Sequence, residues 1–251
     1  VLEKIGIVNS LYTYPIKSCR GYDTESLNID DAGIIGDRDW LVVDAKGKFV
    51  TQRQFPKMAT LAPPFLLEIG TRSVEITIWN DKVSAIEGTE PAQQWIRNEL
   101  GPEFRLTRIS HQKARFKTKL GTDYYTRFAD SAPFLITNTK SLEDLVSNMK
   151  QALPMDRFRP NIVVSFDKPW LETGLNSLKI GEVFFPLIYA CTRCVIPSID
   201  QITGKKGNKE ILTTLNKHPQ GKDHSGAIAF GVRGVHSEPG IIRKGDEVWS
   251  T

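Results

Sequence analysis

The feature that most constrains this chain is a succession of short apolar runs, each cut off by turn residues, from one end to the other. KIGIVNSLYTYP at 4–15 reads as a strand, GYDTESLNID at 21–30 as a turn and strand, and DWLVVDAKGKFVTQ at 39–52 as strand, glycine turn and strand. FLLEIGTRSVEITIW at 65–79 alternates in VEITI and predicts antiparallel strands around a turn at Gly70. RPNIVVSF at 159–166 has the continuous apolar run of a buried strand, and SLKIGEVFFPLIYA at 177–190 reads as two strands hinged at Gly181. GIIRKGDEVW at 240–249 has the strand-turn-strand pattern of a barrel closure.

Two stretches break this rhythm. EPAQQWIRNELG at 90–101 predicts a helix with Pro91 in its first turn, an inward stripe of Trp95, Ile96 and Leu100, and Gly101 at its end. TKSLEDLVSNMKQAL at 139–153 predicts a second, capped by Thr139 or Ser141, with Leu142, Leu145, Val146 and Met149 at helical spacing. With no GxGxxG and no repeating βα units, a dinucleotide-binding fold is not indicated. The expected class is predominantly β with peripheral helices, after which the chain returns to strands.

A length of 251 residues suits one large or two modest domains, and 40% hydrophobic with 25% charged residues is ordinary for a folded protein. The basic stretch RISHQKARFKTK at 108–119 and Gly121 place a boundary near 115–123. A net charge of +4 favours anionic ligands but is too small to imply nucleic acid, and the basic runs at 108–119 and 203–209 read as loops or solvated faces. No basic leader precedes an apolar segment and no run approaches the ~18 residues of a membrane span, so the expectation is a cytoplasmic protein without a membrane segment.

The three cysteines, Cys19, Cys191 and Cys194, are too few for a disulfide-stapled fold. Read alone, CTRC at 191–194 leaves several chemistries open: a thioredoxin-like redox pair, half of a zinc site completed by Cys19 or by His111, His218, His224 or His236, or thiols packed in a core. No helix follows to stabilise a thiolate, and the spacing does not favour zinc.

Taken together, YPIKSCRG, GDRDWLVVD, TQRQFPKM, FRPNIVV and CTRCVIPSIDQITG resemble the MOSC family over nearly the whole chain, in its amidoxime-reducing branch. The resemblance implies an N-terminal MOSC-associated β-barrel at 1–118 and a C-terminal MOSC β-barrel at 119–251. It also implies a molybdenum cofactor (Mo-molybdopterin), with Cys194 as its soft thiolate ligand and catalytic residue. By the same resemblance, Lys17 and Ser18 contact the cofactor's phosphate or pterin, Arg38 and Arg53 supply an anion-binding surface, and Arg159 and Asn161 match the RPN pattern. Asp130 and Ser131 fall near the pterin or the metal's oxygen ligands, while Asp200 orients the CTRC loop or handles a proton. Arg157 faces the same way as Arg159 if the approach to the strand is extended.

The implied activity is reduction of an N-hydroxylated small molecule such as an amidoxime. Three cysteines cannot supply both a four-cysteine cluster and a molybdenum ligand, so electrons are expected from a separate flavoprotein, ferredoxin or cytochrome-like donor. Two alternatives stand beside this reading: sulfur transfer through a persulfide on Cys194, and a noncatalytic carrier of the cofactor.

Overall fold

A computed structural model describes residues 2–109, 115–119, 121–207 and 209–250. The first strand, Glu3–Thr13, sends Ile5, Val8 and Leu11 inward and pairs antiparallel with both Glu247–Ser250 and Ile162–Phe166. From Ile162–Phe166 the sheet continues through Phe134–Asn138, Ala229–Gly234, Val183–Thr192 and Ser177–Ile180 to Glu247–Ser250, so that seven strands close on themselves. One neighbouring pair, Phe134–Asn138 with Ile162–Phe166, is parallel, and the helix Thr139–Ser147 lies in the crossover that a parallel connection requires. Inside, Leu11, Phe134, Ile136, Val164, Phe185 and Val248 form the core, with Phe134 and Phe185 edge-on at 5.1 Å between ring centroids.

The rest of the N-terminal half builds a four-stranded antiparallel sheet in the order Trp40–Val43, Arg105–Ile109, Asp81–Gly88, Ile69–Ile78. Helix Glu90–Leu100 covers one face through Ala92 and Ile96, and buried Gln93 ties it to the sheet by accepting from the amide of Leu106 and donating to its carbonyl. The expectation of two barrels is therefore met in part: one closed barrel is present, and a second is not resolved. The physical reason is visible at the open edges. Residues 47–50 lie between Val43 and Thr77 and join them by two isolated bridges and a few backbone hydrogen bonds, without extending into a strand of their own.

Local expectations fare unevenly. Both anticipated helices form, with Pro91 in the first turn of one, but the other is capped by Asn138, whose side chain accepts from the amide of Lys140. Gly70 does not turn the chain; Ile69–Ile78 runs through it and the reversal comes at Trp79 and Asn80. A third helix, Glu210–Lys217, was not anticipated, because only Ile211 and Leu215 mark its buried side. Part of the basic stretch 108–119, including His111, and Asn208 of the 203–209 run lie outside the described residues. Among the described residues no helix is long and apolar enough to cross a membrane.

Candidate functional site

Four irregular segments meet at the barrel's edge: the turn after the first strand, the 36–39 turn, the approach to Ile162–Phe166, and the loop after Val183–Thr192. Three of their residues adopt left-handed backbone conformations without being glycine: Ser18 (φ 67°), Arg38 (φ 53°) and Arg159 (φ 55°). Such conformations cost roughly 1–2 kcal/mol each for L-residues. Five non-glycine residues among those described behave this way and three of them lie together here, so the strain is concentrated where the cleft is built.

A buried hydrogen-bond network holds these turns. Asn161, fully buried, accepts from Arg38 Nη1 at 3.1 Å and the Leu135 amide at 3.3 Å, and donates to Asp37 Oδ1 at 3.1 Å and the Tyr12 carbonyl at 3.3 Å. Asp37 also takes the Tyr14 amide at 2.8 Å and pairs with Arg38. The Tyr14 ring lies under two guanidinium groups, with Arg38 at 4.6 Å and Arg159 at 4.2 Å from its centroid, while its hydroxyl donates to the Pro160 carbonyl. Arg159 Nη1 donates to Gln201 Oε1 at 2.9 Å; Gln201 is in turn bonded to Gln52, and Gln52 donates to the Ser18 carbonyl at 2.8 Å. The strained turns thus brace one another through side chains more than a hundred residues apart in sequence.

Lys17, Ser18, Arg38, Asp130, Arg159 and Cys194 line one cleft of about 80 Å³, joined by Cys191, Arg193 and Arg233. Arg159 is also part of the wall of a neighbouring cleft of about 290 Å³, beside Tyr14, Arg20 and Asp156. Lys17 donates to the Phe128 carbonyl at 2.8 Å and to Asp130. Burial pulls the Lys17 pKa down to about 8, against the opposing pull of Asp130. Burial disfavours the Asp130 carboxylate too, but Lys17 and Arg233 outweigh it and hold that group well below the usual carboxylate range. Arg159 is lowered by burial to about 10 and keeps its charge at neutral pH.

The thiols occupy three different environments. Cys194 is exposed at the cleft. Cys191 is buried and receives Arg193 Nη1 at 3.0 Å; burial works against its thiolate, yet Arg233 and Arg193 prevail and depress its pKa. Cys19 packs with Ile16 and Met58, and burial pushes its thiol up to about 12.

Not every sequence-predicted residue lines the cleft. Arg53 stacks on Trp79 at 4.8 Å and reaches the site through its field at Asp130. Ser131 accepts Tyr124 on its carbonyl and bonds Tyr189 through its side chain. Arg157 diverges from Arg159, because the chain before the strand is a 3₁₀ turn over Met155–Phe158 and not extended. It pairs with Asp200, whose other oxygen accepts the amides of Ile202 and Thr203 and so shapes the loop beyond Cys194. Sequence reasoning missed the bracing roles of Tyr14, Gln52 and Gln201, although each sits inside or beside a quoted motif. It also missed Arg233, an arginine within the otherwise largely buried strand Ala229–Gly234, and that charge in an apolar run was the available signal.

Comparison with known families decides the kinship. The "MOSC N-terminal beta barrel domain" matches residues 5–103, and the "MOSC domain" matches 123–249. This chain belongs to the MOSC family. Among its curated MOSC relatives, mitochondrial amidoxime-reducing component 1 of Mus musculus is 30% identical over 99% of this chain and 83% of the relative. The Homo sapiens protein of the same name is 29% identical, covering 99% and 84%. A molybdenum cofactor sulfurase of Oryza sativa subsp. japonica is 28% identical over 90% of this chain, which spans only 32% of that protein. Membership supports an oxidoreductase role in molybdenum-cofactor-linked redox chemistry. The names of the animal relatives point to a mitochondrial rather than a cytoplasmic location, which corrects the expectation drawn from the sequence. The residues that pack a fold carry no record of an organelle address, so composition was a poor guide.

The MOSC site's donor set fits an anionic cofactor bearing a soft metal. Arg159 Nη2 and Arg193 Nε are buried without a hydrogen-bond partner, and buried Lys17 and Arg38 face the same cleft. Two thiols line it, exposed Cys194 and buried Cys191, and no group of three or more His, Cys, Asp or Glu is gathered among the described residues, so a thiolate is the soft donor the cleft offers. Arg159 also lines the wider cleft of about 290 Å³, so its guanidinium stands between the two.

Proposed function

We propose that this MOSC protein is a molybdenum-cofactor-dependent reductase of N-hydroxylated compounds such as amidoximes, fed with electrons by a separate donor protein. The observation that carries the reading is the placement of exposed Cys194 at a cleft walled by the buried cations Lys17, Arg38 and Arg159. A bound Mo-molybdopterin would supply two-electron redox chemistry and oxygen-atom acceptance, which amino-acid side chains do not.

The chain's own residues have separable tasks in this reading. Cys194 ligates as a thiolate and must lose its proton to do so. Arg38 and Arg159 offer planar forks suited to phosphate oxygens; Arg38 is oriented by Asp37 and Asn161, and Arg159 by Gln201. Lys17, with its pKa near 8 and its contact to Asp130, adds a charge that is present at neutral pH and a proton that can be released without a large penalty. Ser18, Asn161, Arg53 and Ser131 are assigned supporting roles around the cofactor. The matched spans 5–103 and 123–249 support a functional division of the chain near residue 118.

The test is turnover by protein expressed in a host that makes the cofactor. Wild-type protein with a chemical reductant should convert an amidoxime to the amidine by mass spectrometry. Cys194→Ser, shown folded by circular dichroism, should lose both molybdenum and activity, since a hydroxyl replaces a soft thiolate poorly. Retention of metal and wild-type rate in that variant would overturn the ligand assignment. Loaded protein inert toward a panel of N-hydroxylated compounds would overturn the reductase reading.

A further inference from the structure

Beside the cleft, the hairpin that ends Ile69–Ile78 holds Trp79 in a left-handed conformation (φ 54°) with 43% of its surface exposed. An indole left in water on a strained backbone is doubly costly, and it is not serving a closed core. Its ring carries the Arg53 guanidinium at 4.8 Å and touches Phe49 at 4.9 Å, so it is fixed in place. Two residues on, Asp81 binds both Arg115 and Lys117, leaving a net positive charge on that flank. On the other flank, Lys206 Nζ reaches the Arg53 carbonyl at 3.4 Å.

Lys206 belongs to a loop that also exposes Lys205, Lys209 and Ile202, the last with 81% of its surface accessible. The loop is anchored: Asp200 donates its amide to the Lys205 carbonyl, Gly207 donates to the Ser198 carbonyl, and Ile199 bridges Lys206. It springs from the segment carrying Cys194 and the half-exposed Val195. Gln52, next in the chain to the Arg53 that this loop touches, donates to the carbonyl of Ser18 in the cleft lining at 2.8 Å, so the patch and the cleft share this turn.

We propose that Trp79 and the Lys205, Lys206 and Lys209 loop form a docking surface for an acidic electron-carrying protein. A fixed, solvent-facing tryptophan stacked on Arg53, with Lys206 at the Arg53 carbonyl, has the composition of an interface anchor, aromatic and arginine together with charge beside them. Charge complementarity selects the partner: the rim offers cations whose long-range attraction raises the encounter rate of a carboxylate-bearing surface. The lysine loop runs on in the chain from the Cys194 segment, which ties the surface to the site. This inference rests on the reductase reading, because only a reductase without its own electron input needs the surface.

The experiment compares cofactor-loaded wild type with Trp79→Ala and with Lys205→Glu/Lys206→Glu. Amidoxime reduction is driven either by a small chemical reductant or by reduced acidic carriers: a [2Fe–2S] ferredoxin, a flavodoxin and a soluble b-type cytochrome domain. With the chemical reductant, all three proteins should turn over equally. With a carrier that supports the wild type, each variant should lose about tenfold or more in kcat/KM at low ionic strength, and the lysine effect should vanish in ~0.5 M salt. Unchanged carrier kinetics in both variants would overturn the docking surface while leaving the reductase reading intact. So would failure of every carrier with the wild type, or tight binding of single-stranded DNA or anionic vesicles that depends on the same residues. Absence of turnover with the chemical reductant would instead strike the reductase reading itself.

Discussion

Replacing Asn161 by leucine tests whether the network, and not the barrel alone, holds the strained turns. Asn161 makes four side-chain hydrogen bonds while fully buried. Two of its partners have alternatives: Arg38 Nη1 keeps Asp37, and Asp37 Oδ1 keeps the Tyr14 amide. The Leu135 amide and the Tyr12 carbonyl lose the partner that Asn161 provided. A buried polar group left unpaired costs about 1–3 kcal/mol, giving about 2–6 kcal/mol for two. The added apolar burial of leucine offsets roughly 1–2 kcal/mol of this.

The middles of these ranges give a net loss of about 2.5 kcal/mol, less than the ~5–15 kcal/mol of a typical domain, so the variant should still fold. Urea unfolding followed by circular dichroism gives the value, provided the m-value is unchanged. A loss under about 1 kcal/mol would refute the assignment of Asn161 as the brace of the Asp37–Arg38 turn. Asn161→Asp supplies an independent arm. It puts a carboxylate against Asp37, whose own charge already neutralises the nearby Arg38, so like-charge repulsion and burial raise its folded-state pKa above the unfolded value. The deficit should then be greatest at neutral pH and shrink as pH falls toward the carboxylate range; a pH-independent deficit would contradict the argument.

Lys17 titrates near 8 when folded, against 10.5 as a free side chain, so an anion that needs its charge should be held less well as pH rises through that value. Bound molybdenum measured between pH 7 and 9.5 should show the decline, and Lys17→Met should flatten it. In the protein without ligand the sign reverses: between about 8 and 10.5 the unfolded chain binds more protons, so this group's contribution to stability rises with pH across that window. Arg38→Ala and Arg159→Ala should each weaken cofactor retention while leaving a folded circular-dichroism spectrum; normal retention in both would make them structural residues only. Iodoacetamide followed by peptide mass spectrometry should label Cys194 rapidly in the native ligand-free protein, and Cys19 only after denaturation, since one thiol is exposed and the other sits in the core with its pKa near 12.

The strands were legible where side chains alternate or run continuously apolar, as in Glu3–Thr13 and Ile162–Phe166, because period and burial are local properties of the sequence. Which strands pair was not. Glu3–Thr13 pairs at its end with nearby Tyr22–Thr24, but nothing local tells it that its two barrel neighbours come from beyond residue 160. Glu210–Lys217 escaped because eight residues with two buried apolar positions give too little periodic signal. Gly70 misled because glycine in a long strand and glycine in a turn look alike until the partner strand is known.

The site was legible in a different way. Lys17, Arg38, Arg159 and Cys194 were named through motif resemblance, and what the sequence alone withheld was how they could be tolerated together. Five cations, Lys17, Arg38, Arg159, Arg193 and Arg233, line a cleft in which Asp130 is the carboxylate countercharge, with Asp37 just behind Arg38. Three of the turns that bring these groups together carry left-handed strain at Ser18, Arg38 and Arg159. Neither the crowding of charge nor the strain favours folding; both are sustained by Asn161, Tyr14, Gln52 and Gln201, which are satisfied polar or aromatic groups and carry no net charge. Those neutral residues convert the rigidity of a closed barrel into fixed positions for the cations. The excess positive charge and the unpartnered Arg159 Nη2 are then matched only when an anion arrives, so the arrangement is suited to retaining a ligand and not to maximal stability without one.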